Sequence, residues 1–424
     1  MKTLRTALIL ALVGLAGRSA ANQPVLVISV DGMDQRYLSD CDRLGLKIPN
    51  LRRLMREGQW SAGVVGVIPT VTWPSHTTII SGVEPAQHGI LANRRPAKDG
   101  GDPYWSADLL KVQTLLDAAH KAGLKTASIH WPVTVGAASD FNLPEYFQKW
   151  RGGQVDLRSV SSKANPPDLV NRINGLFPSF RQEWMGDRAR ALAARYLLTT
   201  ERPDLLLLHF GEHDAEAHDN GPFSPEALAV IEYTDELIGT VLQNLPPNYA
   251  VVVVSDHGFE KWDREVHLNV VANQRGVKGL RPLGGIVVAD DAAAAKLLGE
   301  LRPDAQYGIG REVPTEEIRR FSPDLQSATA VFESAFGVWF GSASSGDLVT
   351  KPADAGRHGH WPTRYRAVYL AYGPGIRPER IPEISITEVA GRLAVLLGIP
   401  FEPGAARDIR VDETIKEGKI VYPK

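Results

Sequence analysis

The chain is nearly without cysteine: Cys41 is the only one in 424 residues. No disulfide can form within it, so the protein has to be held by its core, and it is long enough to build one. Cys41 lies in "LSDCDRLG", a polar, turn-like stretch with no histidine beside it, and reads as a structural residue rather than a nucleophile. An excess of charge of one sign is lacking as well. The 47 Lys and Arg stand against 49 Asp and Glu, which removes the global bias expected of a binder of nucleic acid or anionic membranes. No internal repeat and no low-complexity tract is present, and beyond residue 21 no apolar run approaches the length of a membrane span.

The first residues are a case of their own. Lys2 and Arg5 precede an apolar core from Ala7 to Gly17, and the small residues Ser19, Ala20 and Ala21 follow. That is the plan of a secretory signal over residues 1–21, with a mature chain starting near Ala21 or Asn22 and exported, periplasmic or secreted. The apolar core is too short to span a bilayer.

From there, short apolar runs alternate with amphipathic segments. "PVLVISV" (24–30), "KTASIHW" (125–131), "DLLLLHF" (204–210), "AVVVVS" (250–255) and "AVYLAYG" (367–373) read as buried strands. A helix is expected over 106–123, ending on Gly123. A second runs from Ser224 as N-cap with Pro225 at the first helical position, and a third from Ser385 and Glu388 in capping-box spacing to Gly398. Such alternation predicts an α/β fold with a mostly parallel central sheet and helices on both faces. Two stretches break the rhythm: 132–185, and 260–355, which reads as a small inserted α+β lid rather than an independent domain.

Ligands of open α/β sheets bind beyond the carboxyl ends of the strands. Asp31 follows the first run, and Asp214 and His218 follow the third. Asp256 and His257 follow the fourth, and His358 and His360 precede the last. Asp214 and His218 are four apart, so a helical turn aims both at one point. His209 and His213 are spare imidazoles nearby, His209 within a strand and so a core histidine. Three aspartates and three histidines suit two borderline dications, with zinc favoured and manganese or iron also served. Paired metals about 4 Å apart are a recurring device for cleaving phosphate esters. "IPTVTWPSHTTIISG" (68–82) then gains a purpose. Its hydroxyls are either helix caps or, in the case of Thr72 at a helix start, a nucleophile whose pKa a dication lowers. Capping remains the reading for Thr70, Ser75, Thr77 and Thr78.

"PTVTWPSHTTIISGVEPAQHGILAN" resembles the nucleophile segment of the nucleotide pyrophosphatase/phosphodiesterase family of the alkaline phosphatase superfamily. Further stretches agree in order: "VDG", "GDPYWSADLL…KTASIHWP", "DAEAHDNGP", "SDHG" and "GRHGH", so that the resemblance covers about residues 24–400. It implies an alkaline-phosphatase-like catalytic domain over 22–424 with the lid at 260–355 inside it. Thr72 falls on the nucleophile, and Asn93 on an asparagine that binds a phosphoryl oxygen together with the Thr72 backbone N–H. One zinc would be held by Asp31, Asp256, His257 and Thr72, the other by Asp214, His218 and His358. Trp73 stands where a Phe is common and would stack on a base or aromatic leaving group, or pack. The implied activity is a phosphodiesterase or nucleotide pyrophosphatase working through a phosphothreonine on a small diester or nucleotide. A phosphomonoesterase, phosphonoacetate hydrolase or lipid-headgroup phosphodiesterase is the alternative. "NRRPAKDG" departs from the Tyr-Asp pair common after the asparagine, and Ala217 replaces a glycine. The first of these bears on substrate, since Arg94 and Arg95 face either a charged leaving group or solvent. No formylglycine-type motif supports a sulfatase, and no ligand is missing, as a non-catalytic binding protein would predict.

Overall fold

The computed structural model describes residues 23–147, 156–183, 186–322 and 325–407, together with the backbone of short strands at Thr414–Lys416 and Lys419–Val421. The expected signal at 1–21 and the "WRGGQ" stretch lie outside the described residues.

The centre is a sheet of eight strands: β1 (Val25–Val30), β2 (Gln59–Ser61), β3 (Thr126–Ile129), β4 (Phe141–Leu143), β5 (Leu205–Phe210), β6 (Ala250–Val254), β7 (Tyr369–Tyr372) and β8 (Glu379–Ile381). Their order across the sheet is β8-β2-β7-β6-β1-β5-β3-β4. Every neighbouring pair is parallel except those made by β7, which runs antiparallel to both β6 and β2. β1, β5 and β6 are buried along their whole length, as runs of Val, Leu and Ile must be when helices cover both faces.

Strand alternation sorts the core into two layers. Leu26, Ile28, Leu206, Leu208, Val251 and Val253 meet helices α1 (Pro49–Glu57), α4 (Asp187–Tyr196) and α6 (Pro225–Leu242). Val25, Val27, Leu205, Leu207, Val252 and Val254 meet α2 (Thr72–Ser81), α3 (Leu115–Lys121) and α7 (Val389–Leu397). Cutting Leu208, fully buried between neighbours on two strands, to alanine would cost about 2–5 kcal/mol. A further helix, α5 (Glu212–Asn220), leaves the end of β5 and carries two of the expected ligands. Cys41 is buried in the first of these layers, as a structural residue would be.

Helix ends follow local chemistry. Ser224 caps α6 by accepting from the Ala227 N–H at 3.1 Å, with Pro225 first in the helix. Ser385 and Glu388 form the capping box, one 3₁₀ turn precedes α7, and Gly398 closes it at φ +67°. The single helix expected over 106–123 is instead two pieces. Ser106 caps a 3₁₀ turn at Ala107–Leu109, and Thr114 with Asp117 makes a second capping box that starts α3. Between them Lys111 and Gln113 spend their N–H groups on the carbonyls of His88 and Ala405 rather than on a helix.

Between β6 and β7 the chain builds a second, antiparallel sheet. Its strands are Leu280–Pro282, Ile286–Ala289, Ala330–Ser334 and Ile309–Glu312, in that spatial order. Helix Ala292–Leu301 packs Leu297, Leu298 and Leu301 into a separate apolar cluster with Val287, Ala289 and Phe332. All of these elements fall within 260–355.

Candidate metal centre and active site

The carboxyl ends of β1, β5 and β6 lie side by side because the three strands are neighbours in register. Asp31 leaves β1 with its N–H bonded to Phe210 O at 2.9 Å. Asp256 and His257 come two and three residues after β6, and α5 brings Asp214 and His218 back over the same rim. His358 comes from the other side, on the segment between the second sheet and β7. His257 Nε2 stands 3.1 Å from Asp256 Oδ2 and 3.5 Å from Asp31 Oδ1. His358 Nε2 stands 3.5 Å from Asp214 Oδ1, and His218 Nε2 is 3.7 Å from Asp214 Oδ2. Asp31, Asp256 and His257 thus form one group that could hold a metal ion, and Asp214, His257 and His358 a second, sharing His257.

The hydrogen bonds around these side chains leave them aimed at something absent from the chain itself. His218 gives Nδ1–H to Gly356 O at 2.9 Å, His257 to Gly258 O at 3.2 Å, and His358 to Thr70 O at 3.2 Å. A carbonyl can only accept, so each ring presents a bare Nε2 lone pair. The Nε2 atoms of His218 and His358 are 3.1 Å apart. Two lone pairs at that distance repel unless a cation or proton lies between them. Burial disfavours the proton. It lowers His218, takes His257 down to about 4, and holds His358 well below the usual histidine range. Asp31 Oδ1, Asp214 Oδ1, Asp256 Oδ2 and His257 Nε2 are buried without a hydrogen-bond partner among the described residues. Burial, then mutual repulsion, pushes Asp31 and Asp214 well above the carboxylate range. Three carboxylates this close need positive charge, and the donor set fits a metal.

Thr72 is buried at the first position of α2, and the helix has no side-chain cap: its N-cap is Val71, in extended conformation. The hydroxyls of "TVTWPSHTT" therefore do other work than the capping the sequence suggests. Thr70 donates to His360 O at 2.6 Å, Thr77 donates to Trp73 O at 2.8 Å, and Thr78 pairs with His88 Nε2 at 3.1 Å. Ser75 Oγ is buried with no partner among the described residues. Asn93 accepts the Trp73 N–H at 3.0 Å, which fixes its amide and leaves Nδ2 as a donor. Trp73, Asn93, Arg94, Asp102, Trp105 and Phe147 line a cleft of about 510 Å³. Trp73 and Trp105 meet edge-on with ring centroids 6.0 Å apart. Arg94 is exposed at this cleft and Arg95 only half-buried.

Several contributors were not singled out as such from the sequence. His76 donates Nδ1–H to Thr72 O at 2.9 Å with Asp256 Oδ2 at 3.4 Å, and accepts Ser29 Oγ–H at Nε2, 2.9 Å away. It ties the start of α2 to Asp256. His209, read as a core histidine, gives Nδ1–H to His130 O at 2.9 Å and sets Nε2 3.1 Å from Asp31 Oδ2. His213 holds the Asp31 carbonyl at 3.0 Å. His360 turns away to Tyr365 Oη, 3.2 Å from its Nδ1, and stands outside both metal groups. The spacing Thr72 to His76, one helical turn, was the available signal; the other contacts join segments distant in sequence.

Comparison with known proteins agrees with this geometry. The family model for type I phosphodiesterase/nucleotide pyrophosphatase matches residues 25–334. Human ectonucleotide pyrophosphatase/phosphodiesterase family member 1 is 25% identical over 325 residues, 72% of this chain and 30% of that protein. Venom phosphodiesterase 2 of Crotalus adamanteus is 26% identical over 263 residues, 56% of this chain and 27% of the relative. The chain therefore spans less than a third of the length of these curated relatives. Among solved structures, murine ectonucleotide pyrophosphatase/phosphodiesterase 5 superposes with a TM-score of 0.63 at 19% identity, covering 91% of this chain and 98% of that one. An inactive threonine-to-alanine form of the murine protein, in complex with AMP, superposes with a TM-score of 0.61 at 18% identity, covering 91% and 97%. These two show a shared fold. No helix among the described residues is long and apolar enough to cross a membrane. With the model match extending over most of its length, the chain belongs to the type I phosphodiesterase/nucleotide pyrophosphatase family.

Proposed function

We propose that the protein is a metal-dependent phosphodiesterase with nucleotide pyrophosphatase activity, transferring a phosphoryl centre in line to Thr72. The observation that carries this reading is the set of buried, unpartnered donor atoms on Asp31, Asp214, Asp256 and His257, facing one another beside the start of α2. Asp31, Asp256, His257 and Thr72 would hold one zinc, and Asp214, His218 and His358 the other; manganese or iron would meet the same donors. Such ions, once bound, lower the pKa of the nucleophile's hydroxyl and draw charge from the phosphoryl oxygens.

The chain's own residues do the rest. Thr72 Oγ1 gives up its proton and forms a bond to phosphorus as the bond to the leaving oxygen breaks on the opposite side, giving a phosphothreonine and an alcohol whose oxygen takes up a proton. Water then attacks the same phosphorus and Thr72 departs as its alcohol, so two inversions yield retention. Asn93 Nδ2 and the backbone N–H of Thr72 donate to the equatorial oxygens; the Trp73 N–H is taken by Asn93 Oδ1, Pro74 has none, and the Ser75 N–H goes to Val71 O. His76 keeps the Thr72 carbonyl and Asp256 in fixed relation. Trp73, Trp105 and Phe147 offer apolar walls for a base or aromatic group. The AMP bound in the murine neighbour and the names of the relatives support a nucleotide or small diester as substrate. Residues 260–355 would serve as the lid of a catalytic domain running from 22 to 424, and residues 1–21 as an export signal delivering it to a periplasm or the exterior.

Relative rates on bis-p-nitrophenyl phosphate, thymidine p-nitrophenyl phosphate and p-nitrophenyl phosphate test the reading. Diesters should lead, EDTA should abolish turnover, and zinc should restore it. A zinc-loaded chain that prefers the monoester would overturn the substrate assignment.

A further inference from the structure

Of the six side chains that face one another at the site, Asp31, Asp256 and His257 stand just beyond the ends of β1 and β6, and Asp214 and His218 on α5, which leaves the end of β5. His358 stands on none of these, and what holds it is a different part of the molecule. The residue before it, Arg357, pairs its backbone with Glu260 in a short antiparallel bridge. Six residues after it, Arg364 lays its guanidinium on the Glu260 carboxylate as a fork, with Nε to Oε2 at 2.7 Å and Nη2 to Oε1 at 2.9 Å. Both ends of the His358 loop thus return to one residue. His360, within the loop, places Nε2 4.0 Å from Glu260 Oε1. Glu260 also accepts the Gly337 N–H at 2.8 Å, and Arg364 donates to Ser334 O at 2.9 Å and stands 3.6 Å from Glu333. Gly337, Ser334 and Glu333 belong to the inserted segment. The fork is buried: the side chains of Arg364 and Glu260 are 8% and 11% exposed. A bidentate pair shielded from water holds its geometry tightly, and removing one partner leaves the other charge stranded.

We infer that Glu260 is the positioning residue for His358, so that the inserted segment, through the Glu260–Arg364 fork, sets the affinity of the outer metal position formed with Asp214 and His218. This rests on the two-metal reading above. The atom acted on is His358 Nε2; its ring gives Nδ1–H to Thr70 O at 3.2 Å and lies against the rings of His257 and Phe259, with centroids 3.8 Å and 5.1 Å away. Residues that orient metal ligands from behind commonly change affinity by about 10–100-fold when altered. That is the size expected here, confined to one of two ions.

The test is zinc stoichiometry and affinity on the full chain, by equilibrium dialysis with metal analysis, for wild type, Glu260→Gln and Arg364→Lys. Wild type should hold two ions. Glu260→Gln should keep one at unchanged affinity and bind the other about 10–100-fold more weakly. Arg364→Lys, which keeps the charge and loses the fork, should fall between them, and it carries the test if Glu260→Gln does not fold. Cobalt loading gives a second readout: the variants should lose the absorption of one site, the one missing its imidazole, and retain the other. Arg275→Gln, which breaks an exposed pair with Glu300 in the same insert, should keep both ions and so controls for general loosening. Two ions held at wild-type affinity in folded Glu260→Gln and Arg364→Lys would overturn the inference and leave the two-metal reading standing. Equal weakening of both ions would overturn it too. A wild-type chain that takes up no ion would sink that reading and this inference together.

Discussion

The two halves of the candidate metal centre are built differently. The inner group, Asp31, Asp256 and His257, has side chains between 0% and 7% exposed and stands directly on strand ends whose neighbours are fixed by sheet hydrogen bonds. The outer residues, Asp214, His218 and His358, are 9–20% exposed and come from a nine-residue helix and a loop tied to the insert. The inner group also has the denser backing, with His76 on Asp256, His209 and His213 on Asp31, and the Gly32 N–H on Asp256 Oδ1 at 3.0 Å. Sheet edges give rigid, dry positions, and helices and loops give adjustable ones. A reaction that must hold a nucleophile still while different leaving groups depart gains from having one of each.

The largest expected effect lies where the halves meet. Thr72→Ala should lower turnover by about 10⁴-fold or more while metal content stays at the wild-type value, measured on the same preparation. Activity near wild type would place the nucleophile elsewhere. Next, the halves should separate by metal analysis. Asp256→Asn should weaken the inner ion by more than about 100-fold and take activity with it, whereas His218→Ala should empty only the outer position. Equal behaviour of the two variants would erase the distinction between halves.

A smaller effect comes from behind the site, where Glu145 Oε2 stands 3.9 Å from His209 Nδ1. Burial pushes Glu145 up to about 7 from an ordinary 4.5. A carboxyl raised on folding contributes stability that is fully present below about 4.5 and is lost as pH rises through 7. Metal-free Glu145→Gln should therefore match wild type near pH 4 and exceed it at pH 8 by up to roughly 3 kcal/mol, read by denaturant unfolding at the two pH values. A pH-independent difference would mean that folding leaves the proton affinity of Glu145 unchanged. The smallest change is in the cleft: Trp105→Ala should raise KM for thymidine p-nitrophenyl phosphate by about tenfold more than for methyl p-nitrophenyl phosphate, the worth of one stacked base.

Much of this arrangement was legible in the chain because strand-end chemistry is local. "VLVISVD", "AVVVVSDH" and the Asp214–His218 spacing announce both the buried strand and the group that follows it, since apolar runs long enough to be buried must end at the rim where ligands sit. Ser224 and the Ser385–Glu388 box fixed helix starts for the same local reason. What the sequence hid lies in pairings between distant segments. Nothing in "AVYLAYG" says that β7 runs against its neighbours, because a run buried on both faces reads the same in either direction. The break at Lys111–Gln113 depends on the carbonyls of His88 and Ala405, supplied by other segments. The hydroxyls before α2 look like caps by composition, but Thr70 is claimed by His360 O, 290 residues away. Glu260 was not singled out at all, because its partner Arg364 lies in a distant segment.

The most direct test is anomalous scattering at the zinc edge from crystals of the zinc-loaded protein. The account predicts two peaks about 4 Å apart, one among Asp31, Asp256, His257 and Thr72 and the other among Asp214, His218 and His358. A single peak, or none between these residues, would contradict it.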